Sequence, residues 1–183
     1  DGAKSIGAEM ELTAVLTDNL TGNFSTAWTD AGYNADCDKG AAAAILANVS
    51  NLCGESFTNS PEWVATGGFN YERPVGVNHS IFLNGSARYE SARRTSTQAT
   101  AVGASTVPQF GDIQEANTKV NLRLGYGAAD GNWAVELWGN NVFDEQTKSV
   151  TFNIPLRHGN NSRGVFTQDP ATYGVTFRKQ FGG

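Results

Sequence analysis

Apolar and polar residues alternate along most of this chain with a period of two. In the first stretch Ile6, Ala8, Met10, Leu12, Ala14 and Leu16 hold the even positions, and Gly7, Glu9, Glu11 and Thr13 the odd ones. Successive side chains of a β-strand point to opposite faces, so this pattern predicts a strand with one greasy and one polar face. The alternation recurs through 20–28, 63–71, 81–89, 120–126, 133–139 and 173–181, giving seven amphipathic strands. In the last of them Tyr173, Val175, Phe177 and Phe181 share one parity, while Thr172, Gly174, Thr176, Arg178 and Gln180 share the other. After 139 the pattern resumes as Val150, Phe152 and Ile154 with parity flipped, which predicts a β-bulge near 140–146.

The connections between these strands sort by length. Short turns at 17–19, 73–78 and 128–132 carry Asp-Asn, Pro and Gly, and Asp-Gly, residues suited to tight reversals. They alternate with long polar segments at 33–61, 92–115 and 155–169. The Ala-rich run 40–49 in the first of these predicts a short helix. A soluble β-sandwich has no reason to sort its loops this way. A transmembrane β-barrel does, with short periplasmic turns and long extracellular loops. The apolar faces carry Trp28, Trp63, Tyr71, Tyr89, Tyr126, Trp133 and Tyr173 near strand ends, as interfacial aromatic girdles require. The opposite faces carry Glu9, Glu11, Glu72, Arg88, Glu90, Lys119, Arg123 and Glu136. Charges are costly against lipid, so that face is expected to look into a lumen. Single-chain bacterial barrels use even strand numbers, and an open seven-stranded sheet would leave unpaired edges in lipid, which is not viable. Residues 1–183 are therefore expected to form the C-terminal part of a larger transmembrane antiparallel β-barrel.

Composition narrows the alternatives. The net charge of −5 with 13 Lys and Arg disfavours nucleic acid as a partner. The longest apolar run, 41–47, is far short of the ~18 residues that a membrane-spanning helix needs. No basic-then-apolar leader follows Asp1, which suggests a mature chain or a fragment. Cys37 and Cys53, in one polar segment of an otherwise Cys-free chain, suggest a disulfide in an oxidising compartment. A loop of about 15 residues closed in this way contributes ~3 kcal/mol in the chain-entropy model.

Two stretches carry a family resemblance. Val120-Asn121-Leu122-Arg123-Leu124-Gly125-Tyr126 precedes Trp133-Ala134-Val135-Glu136-Leu137-Trp138-Gly139-Asn140-Asn141-Val142-Phe143-Asp144, and Pro170-Ala171-Thr172-Tyr173-Gly174-Val175-Thr176-Phe177 follows. Together these resemble the C-terminal strands of TonB-dependent outer-membrane receptors, whose penultimate strand typically ends in an Asn-Leu-Phe-Asp-like motif. Here Val142 replaces the Leu. The opening Ala3-Lys4-Ser5-Ile6-Gly7-Ala8-Glu9-Met10-Glu11 is similar to an upstream Gly-x-Glu strand of that family.

The resemblance implies a 22-stranded barrel with an N-terminal plug domain in the bacterial outer membrane. It also implies active uptake of a scarce or large nutrient, such as a metal chelate, cobalamin or an oligosaccharide. The implied partners are outer-membrane lipid, the remaining barrel strands, the plug, TonB acting through an N-terminal region, and the barrel-assembly machinery. That machinery would read the terminal strand, with Phe181 as the closing aromatic and Tyr173, Val175 and Phe177 as its companions. Gly182 and Gly183 depart from the usual ending.

The chemistry on offer is that of binding. The only imidazoles, His79 and His158, fall at opposite ends of this topology and cannot share a catalytic site, so no enzymatic activity is expected. No cofactor or metal is expected either, and Asp36 and Asp38 are read as solvated loop acids. Ligand contacts should come from Arg88, Glu90, Arg157, His158, Arg163 and the loop around Cys37 and Cys53. Competing readings are a passive or adhesive surface barrel and a soluble β-sandwich binding domain.

Overall fold

The computed structural model describes residues 2–34, 54–96, 112–153 and 163–181. They form eleven strands: β1 (Ala3–Thr17), β2 (Leu20–Tyr33), β3 (Trp63–Val75), β4 (His79–Glu90), β5 (Arg93–Arg94), β6 (Ile113–Gln114), β7 (Asn117–Ala128), β8 (Trp133–Asn140), β9 (Lys148–Asn153), β10 (Arg163–Thr167) and β11 (Thr172–Lys179). Seven of them make one antiparallel sheet in the order β1-β2-β3-β4-β7-β8-β11. These are the seven strands that the alternation predicts. The remaining strands pair as two ribbons, β5 with β6 and β9 with β10. The sheet is not closed, and the outer edges of β1 and β11 have no strand beside them among the described residues.

The register keeps the two faces apart across all seven strands. Leu12 faces Phe24, Phe24 faces Gly67, Gly67 faces Ala87 and Ala87 faces Val120. Lower in the sheet Tyr71, Leu83, Leu124, Leu137 and Val175 form a continuous row. On the other side Thr21, Asn70, Asn84, Arg123 and Trp138 line up in the same way. Because a one-residue slip would exchange the faces, this order across six strand pairs is the strongest constraint on the fold.

Burial is inverted relative to a water-soluble domain. Among the described residues no hydrophobic side chain is buried, while Glu136, Thr95, Thr147 and Thr151 are. Ile6, Met10, Leu12, Val175 and Phe177 are each more than half exposed. Soluble proteins rarely expose contiguous apolar patches beyond a few hundred Å². A sandwich would bury two apolar sheet faces against each other, whereas here a single sheet turns its apolar face outward. β4, with 12 residues at a rise of ~3.3 Å each and a tilt of ~45°, covers roughly 28 Å, the height of a bilayer's hydrocarbon core.

The sheet has two unlike ends. At one end, here the turn end, β1 and β2 are joined through Asp18 and Asn19, β3 and β4 through 76–78, and β7 and β8 through 129–132. Gly76 and Gly131 have φ of 68° and 76°, in the left-handed region that favours glycine. At the other, the loop end, the bases of the long segments are knitted together. Tyr33 N donates to Glu55 O, Asn59 N to Arg94 O, Thr95 N to Asp112 O and Thr151 N to Thr95 O.

One connection differs from the sequence expectation. β8 does not continue through a bulge into 150–154. It ends at Asn140, and the chain reverses at Asn141 and Asp144, whose φ values are 49° and 53°. The Asn141 side chain accepts from Glu145 N and donates to the carbonyls of Glu145 and Asp169. Asp144 Oδ1 accepts from Ala171 N. Short polar side chains tolerate the left-handed region and satisfy the reversed backbone locally, so two residues do here what a bulge was expected to do. β9 then pairs with β10, so part of the segment read as a loop at 155–169 is strand. The helix expected at 40–49 and the pair Cys37 and Cys53 lie outside the described residues.

Candidate functional site

Polar chemistry concentrates on the inner face and at the loop end. The inner face of β4, β7 and β11 carries Arg88, Lys119, Arg123 and Arg178, because alternation directs these positions away from the apolar belt. Lower on that face, Glu136 on β8 is 2% exposed. It accepts from Arg123 Nη1 on β7 at 2.8 Å and from the Arg178 guanidinium on β11. One carboxylate thus ties three adjacent strands together. The two guanidinium side chains are 48% and 65% exposed, so the cluster presents positive charge to the lumenal side.

Nearer the loop end, Arg88 and Lys119 sit opposite each other in the β4–β7 register. Like charges in that position repel, and each finds relief elsewhere. Arg88 Nε donates to Glu90 Oε1 at 2.9 Å, and Lys119 Nζ donates to Gln168 Oε1 at 2.8 Å. Glu90 also receives Arg93 Nε at 3.4 Å. The Arg93 side chain, only 5% exposed, reaches Asn59 Oδ1 at 3.2 Å and the Lys148 carbonyl at 3.1 Å. Arg93 therefore joins β4 to the bases of two separate loops. An open polar cavity of about 390 Å³ lies between these groups, lined by Thr29, Asn59, Arg88, Glu90, Arg93 and Gln168 among others. With Arg88 and Arg93 against the single carboxylate of Glu90 in this lining, the site favours an anionic or hydrogen-bond-rich ligand.

A rigid polar floor supports this rim. Thr95 is fully buried, its hydroxyl 2.8 Å from that of Thr151, which donates to Asp112 Oδ1 at 2.8 Å. Gln114 Oε1 accepts from Lys148 N, and Gln168 Oε1 also accepts from Thr147 Oγ1. Thr95, Thr151, Asp112, Gln114 and Thr147 are buried, and buried polar groups bonded to one another in this way favour one arrangement of their members.

Of the residues expected to contact ligand, the structure brings Arg88 and Glu90 together at this cavity. Arg157 and His158 lie outside the described residues, as does the side chain of Arg163, whose backbone opens β10. Sequence reasoning missed Arg93, Asn59 and Gln168. Each lies in a segment without periodicity, and the one local hint is Asn59, which has a φ of 56° and stands in the breaker cluster before Pro61. His79 lies at the turn end, stacked 5.4 Å from Tyr126. Among the described residues no group of three or more His, Cys, Asp or Glu could hold a metal ion.

No protein-family model matches this sequence, and no curated protein matches it. Solved structures do match its fold. The ferric yersiniabactin uptake receptor FyuA from Yersinia pestis superposes with a TM-score of 0.75 over 98% of this chain, at 12% identity. The chain spans 24% of that receptor's length. At such low identity the likeness is one of fold, and with the outward apolar belt and the polar inner face it identifies the architecture as an unclosed seven-stranded section of a transmembrane β-barrel.

Proposed function

We propose that residues 1–183 are the C-terminal part of the barrel of a TonB-dependent outer-membrane receptor, which takes up a scarce or large nutrient actively. The observation that carries this reading is the combination of a lipid-facing apolar belt with a charged, cavity-bearing inner face on a fold shared with an uptake receptor. Further barrel strands would cover the open edges of β1 and β11, and a plug would occupy the lumen. The bacterial outer membrane, TonB and the barrel-assembly machinery follow from the same reading, with Tyr173, Val175, Phe177 and Phe181 as the assembly signal. The activity is transport rather than enzymatic.

Arg88 and Glu90, with Arg93 holding Glu90 in place, form the barrel-wall part of the ligand site. Arg157, His158 and Arg163 belong to its loop part. The nutrient class is a metal chelate, cobalamin or an oligosaccharide, and the cationic rim favours ligands bearing anionic oxygens. The test is whole-cell uptake of a panel of these three classes by the full-length receptor, with and without TonB. Uptake of one class that stops when TonB is deleted supports the proposal. Uptake that persists without TonB supports a passive barrel instead. Arg88→Ala should weaken binding of the transported ligand about 10-fold, the loss of one charge-assisted contact. Unchanged affinity would remove Arg88 from the site.

A further inference from the structure

Among the described residues the outer face carries unpaired cations at the turn end only. Arg73 on β3 pairs with Ile81, and Lys179 on β11 pairs with Trp133, so both share the outer face with the apolar belt. Both are exposed, and neither has a hydrogen-bond or ion-pair partner among the described residues. His79 lies between them in the sheet, opposite Val75 and Ala128. Its ring stacks on Tyr126 and meets Trp133 edge-on at 5.9 Å, while Tyr126 and Trp133 are 5.8 Å apart. The acids nearest this end do not answer the cations. Glu72 has inner-face parity, Asp18 sits in the β1–β2 turn, and Asp130 is bonded to Asn132 within its own turn.

The loop end of the same face is built differently. There Lys4 is matched by Asp30 at 2.6 Å, and Glu62 accepts from Trp28 Nε1 at 3.0 Å. Among the described residues, then, the loop end of the outer face has its one cation matched by an acid, while the two cations of the turn end have no such match. Long basic side chains at the border of an apolar belt reach out to the headgroup layer, and Trp and Tyr rings settle at the same level. Four strand spacings of ~4.8 Å separate Arg73 from Lys179, roughly 19 Å, which is too far for one headgroup and suited to separate ones along a row.

The geometry points to a docking strip for anionic phospholipids at the turn end of the outer face. Arg73 and Lys179 each take a headgroup phosphate, and His79, Tyr126 and Trp133 sit at the glycerol level between them. A zwitterionic lipid carries its own ammonium beside the phosphate and would gain less from unpaired protein cations. This inference rests on the membrane-barrel reading and adds the lipid class.

The full-length receptor, purified in neutral detergent, would be titrated with phosphatidylglycerol and with phosphatidylcholine and followed by native mass spectrometry. Phosphatidylglycerol should bind in preference, and Arg73→Gln and Lys179→Gln should each reduce the preference about 5-fold. The charge-conserving pair Arg73→Lys and Lys179→Arg should keep it. Equal binding of the two lipids by the unaltered protein would overturn the proposal, as would a preference that survives both Gln substitutions. Displacement of phosphatidylglycerol by inorganic phosphate would point to a free-anion site and also overturn it. Failure to enter any bilayer would instead overturn the barrel reading beneath it.

Discussion

Leu137 and Glu136 are neighbours on β8, yet Leu137 is 53% exposed and Glu136 2%. The same contrast recurs along the sheet: outer-face Leu12 and Val175 are bare, while inner-face Arg88, Lys119 and Arg123 have polar partners. In a soluble domain the two would exchange places, because water rewards burial of the Leu and solvation of the Glu. The contrast shows that the two faces answer to different solvents. Lipid on the outer side makes exposed apolar surface favourable. A wet lumen on the inner side makes charged side chains affordable, provided that buried ones such as Glu136 are paired.

Placing the same charge on each face in turn should break the contrast most clearly. On β1, Leu12→Arg should cost ~2–4 kcal/mol of stability in a bilayer, since Leu12 lies midway along the apolar belt, whereas Thr13→Arg on the inner face should cost little. Reversible urea unfolding of the full-length protein in liposomes measures both. Equal costs would mean that the faces are not distinct.

On the inner face, Glu136→Ala would leave Arg123 and Arg178 facing each other across β8 with no carboxylate between them. The expected loss is about 2 kcal/mol, held below the range for fully buried pairs because both guanidiniums reach water. The same unfolding assay reads it, and an unchanged midpoint would show that the three-strand tie carries no stability. The smallest effect belongs to Lys4→Ala at the exposed loop end. Its ion pair with Asp30 has both partners about half exposed, so the change should stay within ~0–1 kcal/mol and shrink further at high salt.

The seven strands of the sheet were legible because each has to satisfy two solvents at once, and that demand writes itself as strict alternation from Ile6 to Leu16 and from Tyr173 to Phe177. Legibility failed where the demand stops. The alternation of β2 fades after Trp28, yet Asp30-Ala31-Gly32 marks its predicted end and the strand closes at Tyr33, because beyond the belt both faces are wet while backbone pairing continues. Val150 and Phe152 look like a resumed eighth stretch of alternation, and the sequence pattern alone does not separate a bulged continuation from a new hairpin. The deciding residues were Asn141 and Asp144, whose left-handed backbone turns the chain out of the sheet.

The candidate site was half legible for a related reason. Arg88 and Glu90 stand out as charges at the inner-facing positions of a strand. Arg93, Asn59 and Gln168 act through folded loop bases, where no periodicity marks them, and are recognisable only once the guanidinium of Arg93 is seen bridging Glu90, Asn59 and Lys148.

The central claim, that the even positions of β1 meet lipid and the odd positions meet water, is tested most directly by spin-label accessibility. Nitroxides would be placed singly at 9 through 14 of the full-length protein in liposomes, with Cys37 and Cys53 replaced by Ser. Collision with dissolved oxygen should peak at positions 10, 12 and 14, and collision with a water-soluble nickel complex at 9, 11 and 13, in antiphase. Equal access of the nickel complex to both sets of positions would contradict the account.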